Sequence, residues 1–402
     1  MRDRFSDSII LVAITAAAVG AVVSAPLTRT QAQSPAAAAP AELKTPWGEP
    51  DLQGIWTVET DTPFQRSPKY ANQEFFTDEQ RAEFDRIRST LRGRDNRGER
   101  GSERDVAGAY NNAFGALKRT GQRTSAVVDP PDGRIPPLTP EAQKIDAADR
   151  DFRLALMRAT QTCKNKESPC AGGKYDPTPS PRYAELPPRY NTATVNRYDG
   201  PEDASLPVRC LMGGLPEIGT LGAIADRISF RRIVQTQGGI SMFYDVGQGQ
   251  GWQRNIVMDG SPHLPAGIRQ WYGDSRGRWE GSTLVIDVTN FSPKTDFQGS
   301  RENLHVVERW TRTGPTTLDY AVTAEDPTVW VQPWTAKQEF ILQSNEENRI
   351  YSEPRCHEGN YGLPGLLHGH RVQDAAFAAG RGADPRTIST VAGNDGERDP
   401  LQ

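Results

Sequence analysis

The chain has 402 residues, a formal net charge of −4, 36% hydrophobic residues, 37 glycines and 31 prolines. The near-balanced charge points neither to nucleic acid nor to an anionic membrane surface. The low apolar content and abundant Gly and Pro imply a core built from part of the chain, with long loops around it.

The N-terminus reads as an export signal, residues 1–32. Arg2 and Arg4 form a charged start, and Ile9–Val23 is an apolar run short for a membrane span. Cleavage is expected after Ala32. A cut after Ala25 would leave Pro26 behind it, and an uncleaved anchor is the other alternative. Residues 33–44 read as an Ala/Pro-rich linker. The mature protein is therefore expected in the periplasm or secreted, with no stable membrane anchor.

Four cysteines in an exported chain suggest two disulfides. Cys163 and Cys170 can close a small loop, and Cys210 would then pair with Cys356. Three connectivities are possible in principle.

Residues 45–227 read as an extended and helical arm. Trp47 and Trp56 make Thr45–Thr57 a docking segment rather than a linker. Thr77 and Gln80 have the spacing of a capping box, followed by Phe84, Ile87 and Leu91 at helical intervals. Arg92–Arg104 mixes acids and bases and reads as solvated. Thr139-Pro140-Glu141 is a helix start, and the helix is expected to run to about Thr160. Cys163–Pro201, rich in Pro and Tyr, is expected to cover the core irregularly.

From about Ile228 the pattern changes to short β-rich runs. These are Ser229–Thr236, Ile240–Val246, Trp252–Val257, Thr283–Val288, Leu304–Thr311, Thr317–Thr323, Trp330–Trp334, Lys337–Leu342 and Ile350–Ser352. Gly238-Gly239 marks a hairpin. The pattern predicts a mainly β core over residues 228–371, an antiparallel barrel or sandwich with a lipocalin-like barrel favoured. It is preceded by an arm carrying two helices and followed by a flexible tail, residues 372–402. Asp259–Glu280 reads as a polar, aromatic loop beside the strand Thr283–Val288, a usual place for functional groups.

Several motifs resemble a large family of exported bacterial proteins without an assigned activity. They are PDLQGIW at Pro50–Trp56, MDGSPHLP at Met258–Pro265, IRQWYGDSRGRWEGSTLVIDVTNF at Ile268–Phe291, ENLHVVERWTR at Glu302–Arg312 and CHEGNYG at Cys356–Gly362. The resemblance spans roughly Thr45 to Arg371 and implies export and overall shape, not a reaction. The family typically carries DGRPH where this chain has Ser261 before Pro262-His263, and GDTLVVET where it has Gly281-Ser282-Thr283-Leu284-Val285-Ile286-Asp287-Val288-Thr289. On that departure Asp287 is given no catalytic role.

All five histidines lie between positions 263 and 370, and three of them, His263, His305 and His357, sit within the motifs. They are candidate acid/base catalysts, with Arg269 stabilising charge; the alternative is three separate structural histidines. On its predicted strand His305 shares a face with Val307 and Arg309, while Leu304, Val306, Glu308 and Trp310 point the other way. Trp271, Asp274, Arg276, Arg309 and Tyr361 are candidate ligand-binding residues. Trp271 would stack and the arginines would hold a carboxylate or oxyanion. An Asp274–Arg276 ion pair that only shapes the turn is the plainer alternative.

Ser275 lacks the G-x-S-x-G setting of a serine hydrolase, and Gly247–Gly251 lacks the strand-to-helix setting of a nucleotide loop. His368-Gly369-His370 has metal-ligating types but no spaced ligand motif, so neither a metal nor another cofactor is expected. Two functions follow as expectations, each with a small-molecule partner and no nucleic acid. One is a cofactor-independent hydrolase or lyase using histidine acid/base chemistry. The other is a lipocalin-like binder of a small aromatic or amphipathic ligand.

Overall fold

A closed, nine-stranded barrel is formed by strands drawn from both ends of the described chain. The structure is a computed structural model. It describes residues 43–91, 119–190, 197–204, 206, 209, 211, 215–216, 218, 230–245, 251–344 and 362–388. The export signal, Arg92–Arg104, Cys210, Ile350–Ser352, Cys356, His357 and Tyr361 lie outside these residues.

The strands are β1 (Gly54–Thr57), β2 (Thr60–Asp61), β3 (Arg119–Thr120), β4 (Val127–Asp129), β5 (Phe230–Thr236), β6 (Gly239–Asp245), β7 (Gly251–Val257), β8 (Asp274–Glu280), β9 (Thr283–Thr289), β10 (His305–Arg312), β11 (Thr317–Glu325) and β12 (Trp334–Leu342). The barrel order is β1-β5-β6-β7-β8-β9-β10-β11-β12, and Trp56 of β1 pairs with Leu342 of β12 to close it. β4 takes the other half of the β12 edge, through Val127 and Ala336. β2 and β3 form a separate parallel pair.

The barrel is as expected, and the sandwich alternative is not what forms. Three features depart from the expectation. First, β1 comes from the stretch read as arm, so the β-core does not begin at residue 228. A four-residue strand carries too little alternation to register as one.

Second, the barrel is mixed. β8 runs parallel to β7, with Val257 opposite Arg276. A parallel neighbour requires the chain to travel back before pairing again, and the connector 258–273 does this along the outside of the barrel. Third, part of the expected loop is strand β8, and part of the expected tail is helix α4 (Gly362–Ala378), followed by a short turn of helix at Pro385–Thr387.

Two-residue alternation decides what fills the barrel. Leu284, Ile286 and Val288 of β9, Val306, Glu308 and Trp310 of β10, and Leu318, Tyr320, Val322 and Ala324 of β11 are all buried. Trp56, Met242, Tyr244, Trp334 and Phe340 complete the core from the other strands. Trp310 stacks on Phe340 at 5.5 Å between ring centres and meets Tyr320 at 4.2 Å. Gly277 of β8 is tightly approached: a Cβ there would stand 2.3 Å from the Met258 sulfur and 2.7 Å from Ile256 Cγ2, so those side chains would have to shift.

Inside the barrel lies a charged pair. Arg254 and Glu308, 3% and 1% exposed, meet at 2.6 Å between Nη2 and Oε2. This contact is one of charges rather than a well-directed hydrogen bond. Tyr320 donates to Glu308 at 2.8 Å, while Arg254 donates to Ser275 at 2.8 Å and to Tyr244 at 3.2 Å. Burial alone would lower the Arg254 pKa, but Glu308 outweighs it and the net shift is upward.

The helices add little to the barrel core: Ala142 joins it, while Phe84 packs on Tyr70 and Phe76 in a separate cluster. α1 (Asp78–Leu91) starts as its sequence dictates: Thr77 Oγ1 accepts from Gln80 N at 3.2 Å, and Gln80 Oε1 accepts from Thr77 N at 2.9 Å. α2 (Pro140–Met157) is capped by Thr139, whose Oγ1 accepts from Ala142 N. It ends slightly before the expected Thr160, and a short α3 (Gln161–Lys164) follows. Cys163 and Cys170 form the expected disulfide, with Cα atoms 5.1 Å apart. Among the described residues no helix is long and apolar enough to cross a membrane.

Candidate functional site

Outward-facing side chains of β8, β9, β10 and β11 meet the connector 258–273 on one side of the barrel. Register makes this geometry unavoidable. Asp274 pairs with Thr289, and Arg276 with Asp287, on β8 and β9. Val307 lies opposite Asp287, and His305 opposite Glu325, on β9, β10 and β11. Alternation then turns Asp274, Arg276, Asp287, His305 and Glu325 to the same outer face. The connector returns over them carrying His263, fixed by Asn290, which donates to Leu264 O at 2.8 Å, and by Gln270 N donating to Asn290 O at 2.9 Å.

The result is an alternating row of acids and imidazoles. His263 Nδ1 lies 2.9 Å from Asp274 Oδ2, and His263 Nε2 lies 2.9 Å from Asp287 Oδ1. His305 Nε2 lies 3.3 Å from both oxygens of Asp287, and its Nδ1 lies 3.5 Å from Glu325 Oε2. Each imidazole therefore stands between two carboxylates. A neutral ring carries one N–H and can serve only one of its two acids; a doubly protonated ring serves both.

One end of the row is anchored. Arg276 grips Asp274 with two hydrogen bonds of 3.0 Å, from Nε to Oδ2 and from Nη2 to Oδ1, and its Nη1 donates to Ser261 at 2.6 Å. Leu264 N adds a further bond to Asp274 Oδ2 at 2.9 Å. Asp274 is 4% exposed. Burial works against its ionised form, but Arg276, the Leu264 N–H and His263 outweigh it and hold the carboxyl below its ordinary range. The other members are accessible: the His263, Asp287 and His305 side chains are 29%, 31% and 37% exposed. The anchored acid orients His263, and the other members of the row remain open to solvent.

The expected residues divide accordingly. His263 and His305 are brought together, and Asp274 and Arg276 join them as more than a turn-shaping ion pair. Arg269 is used elsewhere: its Nη1 donates to Phe291 O at 3.2 Å and to Glu302 O at 2.6 Å, binding the connector to neighbouring loops. Arg309 shares the His305 face, as alternation requires, but it pairs with Glu280 at 2.8 Å. Trp271 is half-buried in the connector. His357 and Tyr361 lie outside the described residues.

The sequence reading gave Asp287 no role, yet it is the shared partner of both imidazoles, and Glu325 went unnoticed. The available signal was alternation: Asp287 lies on the polar side of β9. The pair His368 and His370 lies on α4, where residues two apart point about 200° apart. His370 stacks instead on Tyr198, with ring centres 4.3 Å apart. Among the described residues no group of three His, Cys, Asp or Glu is arranged to hold a metal ion. No protein-family model matches the chain, and no curated protein matches it.

Proposed function

We propose that the protein is an exported, cofactor-independent hydrolase or lyase in which His263, Asp287 and His305 move the proton. The observation that carries this reading is the convergence of two accessible imidazoles on one carboxylate, with His263 oriented from behind by the Arg276-held Asp274. His305, whose contacts of 3.3 and 3.5 Å are the longer, releases Glu325 to take a proton from a water or a carbon acid, and His263 returns a proton to the leaving group. Asp287 holds the two rings in register. No covalent nucleophile is assigned. Arg269 acts on the site only by positioning the connector.

Three motif segments that resemble the exported bacterial family supply these groups: Met258–Pro265 gives His263, Ile268–Phe291 gives Asp274, Arg276 and Asp287, and Glu302–Arg312 gives His305. The Cys163–Cys170 disulfide is compatible with export. The lipocalin-like alternative draws less support, because Trp56, Tyr244, Trp310, Tyr320 and Phe340 occupy the barrel interior.

The test is a turnover screen over aryl esters, lactones and β-elimination substrates, using the parent, His305→Ala and Asp287→Asn. Loss of at least about a hundredfold in kcat in both variants is expected, with circular dichroism unchanged. A parent inactive across the screen, or an Asp287→Asn variant with more than half the parental kcat, would reject the acid/base assignment.

A further inference from the structure

A concavity lies where α2 meets the loops 296–303 and 326–330. It is a cleft of about 750 Å³, within the usual range of small-molecule sites. Trp330 and Val329, 1% and 9% exposed, form its buried floor. Ile135, Leu138 and Ile145 add an apolar wall, and Ile145 is 41% exposed on α2.

Both sides are held in place. Thr139 N donates to Val329 O at 2.9 Å, and Thr139 Oγ1 donates to Thr328 O at 2.8 Å, fixing the start of α2. On the loop, Phe297 stacks on Trp334, Ser300 donates to Asp326 at 2.5 Å and Arg301 donates to Pro293 O at 3.0 Å. A ligand would therefore meet a formed surface rather than order one.

Charge then narrows what can enter. Five carboxylates and two guanidiniums line the cleft. Both guanidiniums are already engaged: Arg189 with Asp149, and Arg301 with Asp296 at 3.2 Å. Asp326 accepts from Ser300 and Thr328, and Glu141 meets Lys144. Asp146 of α2 and Glu302 of the loop remain, and among the described residues neither forms an ion pair. An apolar floor beside two solvent-exposed acids, one of them next to Arg301, suits a cation with an apolar body.

We propose that this cleft binds an amphipathic amine, its apolar part on Trp330 and Ile145 and its ammonium near Asp146 and Glu302. The proposal is independent of the acid/base reading. The experiment is isothermal titration of the full chain with 4-phenylbutylamine, 4-phenylbutanol and 4-phenylbutyrate, which share one body and differ in charge. The amine is expected to bind at least about tenfold more tightly than the alcohol, with the carboxylate weakest. Asp146→Asn combined with Glu302→Gln should bring the amine down to the alcohol's affinity while leaving the alcohol unchanged. Ile145→Trp, which fills the cleft, should weaken both. The proposal is overturned if the carboxylate binds as well as the amine, if neither variant alters amine binding, or if none of the three probes binds at millimolar concentration.

Discussion

Removing the charge of Glu308 should be among the most damaging single changes in the barrel. The residue pairs with Ile286 and Val322 on the flanking strands, is 1% exposed, and its carboxylate meets Arg254 Nη2 at 2.6 Å. Glu308→Ala would strand a guanidinium that is 3% exposed and take the acceptor from Tyr320. Breaking a buried pair on one side costs about 3–5 kcal/mol, because the remaining charge has lost both water and partner. That is a large share of the ~5–15 kcal/mol by which a domain is stable. Urea unfolding followed by tryptophan fluorescence would measure the cost as a shift in midpoint at constant slope. The double variant Arg254→Met, Glu308→Leu removes both charges into an apolar setting and should recover most of the loss. A single-variant cost below about 1 kcal/mol, or a double variant as unstable as the single, would refute the argument that uncompensated burial is the cause.

Three further outcomes follow from the same geometry. Asp274 is held below its ordinary pKa of 3.8, so its stabilisation is present above that value and lost as pH falls through the folded-state pKa. The stability gap between parent and Asp274→Asn, measured by urea unfolding, should be full at pH 6 and shrink at pH 3. Tyr244 is pushed by burial from 10.0 to about 12, so the folded state holds its proton longer than the unfolded state. Stability should fall between these values as pH rises, and Tyr244→Phe should flatten that fall. Gly273 has φ +65, and a Cβ there would stand 2.6 Å from Thr289 O, whereas Gly281, with φ +61, has open space around it. Gly273→Ala should therefore cost more than the ~1–2 kcal/mol of left-handed strain expected for Gly281→Ala, read as the difference in unfolding free energy.

What was legible in the sequence was what local periodicity determines. Thr77 with Gln80, and Thr139 with Pro140, announce α1 and α2 because capping satisfies orphan N–H groups within a few residues. β9, β10 and β11 announce themselves because one face is solvated and the other packs into the barrel. β8 escaped because its outward residues are charged and its inward positions are Ser275, Gly277 and Trp279, two of them poor strand formers. Its strand character is imposed by β9, which supplies its antiparallel register, and by the approach of Met258 and Ile256 to Gly277. β1 escaped because it is stabilised by two partners distant in sequence, β5 and β12.

The candidate site illustrates the same division between local and non-local information. The faces of β9 and β10 were readable residue by residue, so Asp287 and His305 could each be assigned to the outer side. Their meeting depends on a register that aligns Val307 with Asp287, and register is a relation between strands that neither strand encodes alone. His263 depends on a longer relation still. It reaches Asp274 and Asp287 only because β8 pairs parallel to β7, which forces the connector back across the outer face. Asp287 was set aside on the strength of a resemblance in one short segment. Its position between two imidazoles rests on the topology of four strands and one connector, and that is the stronger ground for assigning it a role.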